Sequence, residues 1–458
     1  MQTSWDEMKG RLKYGVVFSL CLMLMSACGS GANSVGANST DSNDPIVVPP
    51  KPETPTLLHT ENGLWLRANG RPVQLKGVNL GNWLIQEFWM MGQGGKGVDD
   101  QCSLEATLDR RFSYAERERL YRVFRQNWIK ERDWDMLARF NLNVVRVPFI
   151  WSVIEDEQHP GTLRADAWDY LDEAVRQARS RGMYVILDLH GAVGSQGWEQ
   201  HSGCTGKNLL WTTPSYQART LWLWQQIARH YKDNEAIAGY SLLNEPWGTS
   251  EENLASYIVS LAREVRAIDT QHVLILPGHA AGISAYKPDL LQGLQNYAFE
   301  MHFYPGFFGW GQTGISVHKD WLQCGVSGNA GVCEWSARLK QMKAAFYVGE
   351  FQPWSGMGAD IGGQVTRLSY DRYAALGWAA TSWSYKVLNN TGGQGAGTWG
   401  LVTNEQQSGI ANLDFNTASP AEIEALFKSF GSVPYEPQQT VMNWMNSSNA
   451  PNLFSLPQ

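Results

Sequence analysis

Two short apolar runs in this chain each end in a glutamate. The run Ile237–Leu243 is followed by Asn244 and Glu245, and the run Ala344–Gly349 is followed by Glu350. A proline comes directly after Glu245 and cannot continue a β-ladder, so the strand should stop there and present the amide and the carboxylate at its end. Two carboxylates that face each other across the mouth of a barrel are the groups that glycoside hydrolysis needs.

The rest of the chain repeats this alternation of short apolar runs with helical patterns. Eight such runs predict an α/β fold, a single (β/α)₈ TIM barrel. A doubly wound sheet is the alternative, but no Gly-x-Gly-x-x-Gly motif directly joins the end of the first strand to a helix. The predicted strands are Lys76–Trp83, Val144–Pro148, Tyr184–Leu189, Ile237–Leu243, His272–Leu276, Tyr297–His302, Ala344–Phe351 and Trp378–Trp383. The predicted helices are Ala167–Arg181, Ser215–Tyr231, Glu251–Ile268, Gln364–Leu376 and Ala421–Phe430.

A hairpin precedes the barrel in this prediction. Asn69 and Gly70 form a turn signal between two short apolar segments, Leu64–Arg67 and Pro72–Leu75. We expect this N-terminal hairpin to cover the bottom of the barrel. The catalytic domain is predicted to span residues 57–432, with a C-terminal extension over residues 433–458.

Residues 1–28 have the pattern of a signal peptide. Three basic residues precede the apolar stretch Tyr14–Met25, which is too short to span a bilayer, and small residues follow it. The ending Met25–Cys28 resembles a bacterial lipobox, which implies that Cys28 is lipidated. Ordinary secretion with Cys28 removed is the alternative. The polar, proline-containing residues 29–56 are predicted to be a disordered, flexible linker.

We therefore expect an exported protein of the bacterial cell envelope. With lipidation, it would be anchored by lipid at the outer membrane or cell surface; without it, the protein would be secreted. The formal net charge of −7 speaks against a nucleic-acid partner. We also expect a monomer.

The cysteines outside the signal region suggest disulfides. Cys102, Cys204, Cys324 and Cys333 are an even number in an exported chain and allow three connectivities. We favour Cys324–Cys333, which closes a short loop, and Cys102–Cys204 between two long loops. Because none of them has metal-ligand spacing with a histidine, we expect no zinc site.

Polar and aromatic side chains end most of the predicted strands. The C-terminal ends of barrel strands meet at one face, where this fold carries its chemistry, so we expect these side chains to surround one site. They are Arg146, His190, Asn244, Glu245, His302, Tyr304, Glu350 and Trp383.

Four motifs of the chain resemble glycoside hydrolase family 5, and within it the exo-1,3-β-glucanase branch. The resemblance covers roughly residues 64–430. The motifs are Leu75–Leu84, Asp188–Gln196, Leu243–Pro246 and Val348–Phe351.

This resemblance implies roles for the residues at the strand ends. Glu245 would be the acid/base, Glu350 the nucleophile, and Asn244 would bind the 2-hydroxyl of the sugar. An acidic residue after the first strand, Glu87, matches a sugar contact of the exo-glucanases, and Trp383 matches the tryptophan under the sugar. Arg146 and Tyr304 would flank the nucleophile, and His190 and His302 would line the site.

The implied mechanism is a retaining double displacement on a β-linked oligo- or polysaccharide, without metal or organic cofactor. Glu350 must be ionised to attack, and Arg146 and Tyr304 would hold its charged form. Glu245 must start protonated, so we expect it in a drier place than Glu350.

Some segments depart from the exo-glucanase pattern, and these departures keep the substrate open. Tyr385 stands where that branch usually carries a second tryptophan, and residues 352–354 and the insertion between Tyr304 and Glu334 do not match. An endo-β-glucanase or endo-β-mannanase with an open cleft is the alternative within the enzymes. A non-catalytic sugar-binding surface lipoprotein is the alternative from another class, although it would need neither glutamate.

Overall fold

The strands of this chain close on themselves. The computed structural model describes residues 53–278, 282–306, 314–323, 331–352, 357–388, 399–404 and 409–452. Eight strands in these ranges form a closed barrel in which each strand is parallel to its neighbours and the last pairs with the first. This confirms the predicted (β/α)₈ barrel. The barrel strands are β3 (Lys76–Asn79), β4 (Val144–Ile150), β5 (Tyr184–Gly191), β6 (Ile237–Ser241), β7 (Val273–Pro277), β8 (Tyr297–Phe303), β9 (Ala345–Phe351) and β10 (Ala379–Ser382).

Helices between and around these strands form the outer layer. Their buried residues pack against the outward side chains of the strands in one large apolar core. The helices are α1 (Gln101–Arg111), α2 (Tyr114–Trp128), α3 (Glu131–Ala138), α4 (Asp169–Ser180), α5 (Pro214–Tyr231), α6 (Glu251–Arg266), α7 (Pro288–Leu291), α8 (Ile315–Leu322), α9 (Val332–Met342), α10 (Ala359–Ala375), α11 (Pro420–Ser432) and α12 (Gln439–Asn446). Short 3₁₀ turns cover Phe88–Met91, Trp151–Val153, Gln200–Ser202 and Leu210–Thr212.

The N-terminal hairpin is present, but its strands differ from the predicted pair. β1 (Leu58–Glu61) pairs antiparallel with β2 (Leu64–Arg67), and the turn lies at Asn62-Gly63. Both turn residues have positive φ, as a tight two-residue hairpin turn requires. The predicted second arm contributes only one bridge, Leu66 to Pro72, because a proline has no N–H for a ladder.

As expected, the hairpin covers the bottom of the barrel. Leu58 and Trp65 are buried in one apolar cluster with residues from the N-terminal ends of the strands, such as Val144 and Ala345. The indole N–H of Trp65 donates to the backbone carbonyl of Phe346. This end of the barrel is therefore closed by apolar packing, which leaves the opposite end for polar groups.

Two small elements complete the described chain. Strands β11 (Lys386–Val387), β12 (Val402–Thr403) and β13 (Glu436–Pro437) form a three-stranded sheet. Helix α12 lies against α10, where Arg367 donates to the backbone carbonyls of Trp444 and Ser447. Among the described residues, no helix is both long and apolar enough to cross a membrane.

Several predictions concern residues that the structure does not describe. The signal peptide with Cys28, the linker up to residue 52, Cys324 and the last residues of the extension (453–458) all lie outside the described ranges. The domain boundaries, the lipidation and the pairing Cys324–Cys333 stay predictions.

Candidate active site

Glu350 lies at the end of β9, at the C-terminal mouth of the barrel. Its side chain is 6% exposed, and each of its oxygens has a fixed donor. Arg146 donates from Nη1 to Oε1 at 2.9 Å, and the Tyr304 hydroxyl donates to Oε2 at 2.6 Å. Burial raises the pKa of Tyr304 well above its ordinary value, so this hydroxyl keeps its proton and remains a donor. The arrangement stabilises an ionised Glu350.

Arg146 is itself fully buried at the level of β4 and is shared by several acids. Nη2 lies 2.9 Å from Asp188 Oδ1 and 3.1 Å from Glu300 Oε1, while Nη1 holds Glu350. Nη2 also donates to Asn244 Oδ1 at 2.8 Å. A buried guanidinium with this many partners has a fixed position, so it fixes the carboxylate and the amide that it contacts.

Glu245 follows β6 on a tight turn in which its own φ is +38°. Few non-glycine residues adopt this region, and such residues gather at functional sites. The Gln196 amide supports the turn, since it donates to the backbone carbonyls of His190 and Asn244.

The expectation that Glu245 is drier than Glu350 is wrong. The Glu245 side chain is 30% exposed, five times the exposed fraction of Glu350. Its turn projects it beyond the strand end, toward the mouth, whereas Glu350 still belongs to the ladder. Burial alone would raise the pKa of Glu245, but the nearby imidazoles of His201 and His302 lower it overall.

His302, at the end of β8, lies between the two glutamates. Nδ1 is 2.6 Å from Glu245 Oε1 and 3.4 Å from Glu350 Oε2, and Nε2 is 3.2 Å from Glu300 Oε1. Burial would lower the pKa of His302, but the carboxylates of Glu350 and Glu245 raise it to about 10. His302 is therefore a cation at neutral pH.

Asp188, His190 and Asn244 are linked by hydrogen bonds. His190 Nδ1 is 2.7 Å from Asp188 Oδ2, and its Nε2 is 3.3 Å from the amide nitrogen of Asn244. Burial holds the pKa of His190 well below its usual value, so the ring is neutral. In that state Nδ1 donates to Asp188 and Nε2 accepts from Asn244, which fixes the orientation of the amide.

Glu87 lies beside these hydrogen-bonded residues, on the loop after β3. Its Oε2 accepts from the Trp89 indole at 2.7 Å, and Oε1 is 4.0 Å from His190 Nε2. Burial raises the pKa of Glu87 to about 7. A surface pairing of Glu87 with Lys96 does not occur, because Lys96 pairs with Asp414 at 2.6 Å.

Aromatic rings pack against the partners of Glu87 and Glu350. Trp383 stacks on His190 with ring centroids 5.4 Å apart and an interplanar angle of 12°. Trp399 contacts both Trp89 and Tyr304 at centroid distances of 5.8 Å. Flat apolar faces next to fixed carboxylates suit a sugar ring, which has apolar faces and a polar edge.

The two glutamates and His302 converge closely. One ligand atom from each of Glu245, His302 and Glu350 lies within 4.8 Å of the others, so two carboxylate oxygens are at most that far apart.

A disulfide fixes the loop beyond the site. Cys102 on α1 is bonded to Cys204, which confirms that predicted pair. Cys102 N–H also donates to the Gly203 carbonyl at 2.9 Å. The loop that carries residues 197–206 is thereby attached to the first helix.

The structure brings together every predicted strand-end residue, and adds residues that the sequence analysis did not single out. Glu300 and His302 are two residues apart on β8, and this period-2 pair of polar residues could have found Glu300. Trp399 and His201 lie outside strands and helices of the barrel, where no periodic pattern marks them.

Comparison with known proteins agrees with this site. The family model of cellulase (glycosyl hydrolase family 5) matches residues 117–386. A "Beta-xylosidase" of Phanerodontia chrysosporium is 30% identical over 241 residues, covering 52% of this chain and 50% of that protein. A "Probable glucan 1,3-beta-glucosidase A" of Aspergillus niger is 29% identical over 241 residues, covering 51% of this chain and 56% of that protein. The chain thus spans about half the length of these curated relatives.

A solved structure shares the fold. Rutinosidase from Aspergillus niger superposes with a TM-score of 0.55 at 16% identity, covering 77% of this chain and 98% of that chain. At this identity the likeness concerns the fold alone. The family match, which covers more than half of the sequence, and the barrel with its paired glutamates lead to the same conclusion: the chain belongs to the cellulase family, glycosyl hydrolase family 5.

Proposed function

We propose that this protein is a retaining β-glycoside hydrolase that releases single sugars from the ends of β-linked glucans or related oligosaccharides. The observation that carries the proposal is the separation of the two catalytic carboxylates, whose nearest oxygens lie within 4.8 Å. Retaining enzymes hold their carboxyl groups about 5–5.5 Å apart, whereas inverting enzymes leave about 6.5–9.5 Å for a water molecule.

Glu350 serves as the nucleophile in this proposal. Its Oε atom attacks the anomeric carbon while the bond from that carbon to the leaving oxygen breaks. Arg146 and Tyr304 hold the carboxylate in its ionised form and in one orientation. Glu245 gives a proton to the leaving oxygen, which avoids the release of an alkoxide.

In the second half of the reaction, Glu245 takes a proton from water. The resulting hydroxide attacks the anomeric carbon, and the ester bond to Glu350 breaks. The amide of Asn244, oriented by Arg146 and His190, donates to the 2-hydroxyl of the sugar as charge develops in the transition state. The proton balance closes over the two halves, since one water is consumed and no co-reactant is required.

Exo action is supported by the group around Glu87. A carboxylate buried beside Trp89 and beside His190, whose ring stacks on Trp383, can accept hydrogen bonds from the hydroxyls of a terminal sugar. The names of the relatives, a β-xylosidase and a probable glucan 1,3-β-glucosidase, support a β-linked substrate. An endo-β-glucanase or endo-β-mannanase is the second candidate, and it would need a cleft open on both sides of the cleavage point.

Product analysis tests this proposal. The purified protein is incubated with β-1,3-gluco-oligosaccharides and with β-1,4-xylo- and manno-oligosaccharides labelled at the reducing end, and the product lengths are followed over time. We expect single unlabelled sugars from the first time points and labelled chains that shorten by one unit at a time. Early labelled fragments of mixed length would contradict exo action. Glu350→Gln is the matched control and should give no products.

The location of the protein is part of the proposal. The signal pattern, the Cys102–Cys204 disulfide and the extracellular polysaccharide substrate together support export, with lipidation at Cys28 as the anchor. We expect the mature protein to act as a monomer.

A further inference from the structure

His201 is a second histidine at Glu245. It lies on the 3₁₀ turn Gln200–Ser202, in the loop after β5, far along the chain from His302. Its Nε2 atom is 3.2 Å from Glu245 Oε2, while His302 Nδ1 contacts the other oxygen, Oε1. Each oxygen of this carboxylate therefore has its own imidazole.

The loop holds His201 in this place by several contacts. The Cys102–Cys204 disulfide and the bond from Cys102 N–H to the Gly203 carbonyl attach the loop to α1. Thr205 N–H donates to Asp100 Oδ2 at 2.7 Å, and the Ser202 hydroxyl donates to the Gly197 carbonyl at 3.0 Å. A loop with this many attachments can hold a side chain for a specific purpose.

The Nε2 atom of His201 is buried and has no hydrogen-bond partner among the residues that the structure describes. A buried nitrogen without a partner is costly, and Oε2 of the Glu245 carboxylate lies 3.2 Å from it. The rest of the imidazole reaches solvent, since the side chain is 19% exposed.

The two histidines differ in how many carboxylates they contact. His302 faces three carboxylates, those of Glu245, Glu350 and Glu300, and they keep it charged. His201 contacts only the carboxylate of Glu245 among these acids. His201 thus has one acid partner and a partly exposed side chain, whereas His302 is enclosed by three carboxylates.

We propose that His201 is the proton-exchange partner of Glu245. Before the first half-reaction, the proton on His201 Nε2 passes to Glu245 Oε2, and Glu245 then protonates the leaving oxygen. In the second half-reaction, the proton that Glu245 takes from water returns to His201. The proposal rests on the proposed function, because it assigns a supporting role to His201 in that reaction.

Other titratable groups also lie near His201 and Glu245. His190, on β5, has its ring 6.2 Å from that of His201 and is neutral. Glu87, from the loop after β3, lies close enough that His201 acts to lower its pKa against the larger effect of burial, and Glu350 lies beyond His302. Glu245 itself rests ionised, since the two imidazoles lower its pKa although burial opposes the shift. A resting carboxylate needs an outside proton before it can act as an acid.

Aryl glycosides test the proposal through the leaving group. A phenyl leaving group needs a proton as it departs, whereas 2,4-dinitrophenolate departs without one. For His201→Asn, we expect kcat/KM to fall by about ten-fold to a hundred-fold on the phenyl glycoside, at the lower end of general acid catalysis. On the dinitrophenyl glycoside, kcat/KM should stay at the wild-type value, which also shows that the variant is folded. Added imidazole should restore part of the activity of His201→Ala.

The pH profile gives the second readout. We expect the pH profile of kcat/KM on the phenyl glycoside to change its shape in His201→Asn, because this variant has no imidazole proton to exchange with Glu245. His159→Asn is the matched control, because His159 pairs with Asp156 at 2.8 Å on the surface and should give the wild-type profile.

Two results for the His201 variants would overturn the inference. Equal losses on both substrates would mean that His201 only supports the structure. Unchanged or higher activity of His201→Asn on the phenyl glycoside would mean that Glu245 obtains its proton elsewhere. Failure of the wild type to cleave any glycoside would instead contradict the proposed function. His201→Gln provides a second substitution if His201→Asn does not fold.

Discussion

Nδ1 of His302 lies 2.6 Å from Oε1 of Glu245. The same nitrogen is 3.4 Å from Glu350 Oε2, so one imidazolium contacts both of the glutamates that the chemistry needs. Two carboxylates this close repel each other, and a shared cation between them offsets the repulsion. His302 therefore allows the short separation that direct attack on the anomeric carbon requires.

The shared cation predicts a pH-dependent stability. The carboxylates raise the pKa of His302 to about 10 in the folded protein, against an ordinary value near 6.5. A raised pKa on a base means that the stabilisation is complete below about pH 6.5 and is lost as pH rises toward 10. Urea unfolding at pH 6, 8 and 10 should show a larger loss for the wild type than for His302→Gln. Parallel losses would contradict the assignment.

The burial of Glu87 predicts that the stability of the folded protein depends on pH. Its pKa is about 7 in the folded protein, so the folded state binds its proton more tightly than the unfolded chain, where the pKa is about 4.5. The penalty for ionisation therefore appears as pH rises from about 4.5 to 7. Glu87→Gln should gain stability relative to the wild type at pH 8 and not at pH 4, measured by thermal unfolding.

Glu87→Gln also separates exo from endo action. A hydrogen bond to a charged group contributes about 1.5–3 kcal/mol, so its loss should lower kcat/KM on short oligosaccharides at least about ten-fold. The variant should fold normally, as circular dichroism can check. Near-wild-type activity, together with release of internal fragments by the wild type, would favour an endo-acting enzyme.

The acid/base assignment predicts chemical rescue. Glu245→Ala should lose about 10²–10⁴-fold in kcat on substrates whose leaving group needs a proton. On a dinitrophenyl glycoside, azide should restore turnover and give the β-glycosyl azide, since azide replaces the water that Glu245 would have activated. Rescue with the α-glycosyl azide would place the nucleophile at position 245 instead. Asp156→Ala, a surface carboxylate change, is the control.

The Cys102–Cys204 disulfide predicts a loss of stability on removal. Its cysteines are 102 residues apart, and a link that closes so long a loop contributes about 2–5 kcal/mol. Replacing both by serine should lower the denaturation temperature and also reduce activity on phenyl glycosides, because the loop carries His201. Peptide mapping without reductant should find this pair, and it also tests Cys324–Cys333.

Much of the fold could be predicted from the sequence because barrel strands have a simple signature. Each strand is buried on both faces, so it reads as a short apolar run, and the polar residues come at its end. The start of α10 was missed by five residues, because Gly362 and Gly363 are poor helix formers. They are buried there, and a Cβ on Gly363 would press on Val441 and Trp444 of α12.

The site could be predicted where its residues lie on strands. His190, His302 and Glu350 come near strand ends and Arg146 lies within β4 rather than at its predicted end, and their convergence follows from the parallel barrel. The proximity of His201 to Glu245 could not be predicted, since it depends on a loop whose course is set by a disulfide and by side-chain contacts. The exposure of Glu245 also depends on one backbone angle, which no periodicity reveals.

The stereochemistry of the first product tests the central assignment most directly. Proton NMR is recorded within the first minutes of hydrolysis of a β-linked substrate, before the released sugar mutarotates. If Glu350 is the nucleophile of a double displacement, the β-anomer appears first and the α-anomer grows in later. An α-anomer that appears first would mean a single displacement by water, and it would contradict the role of Glu350.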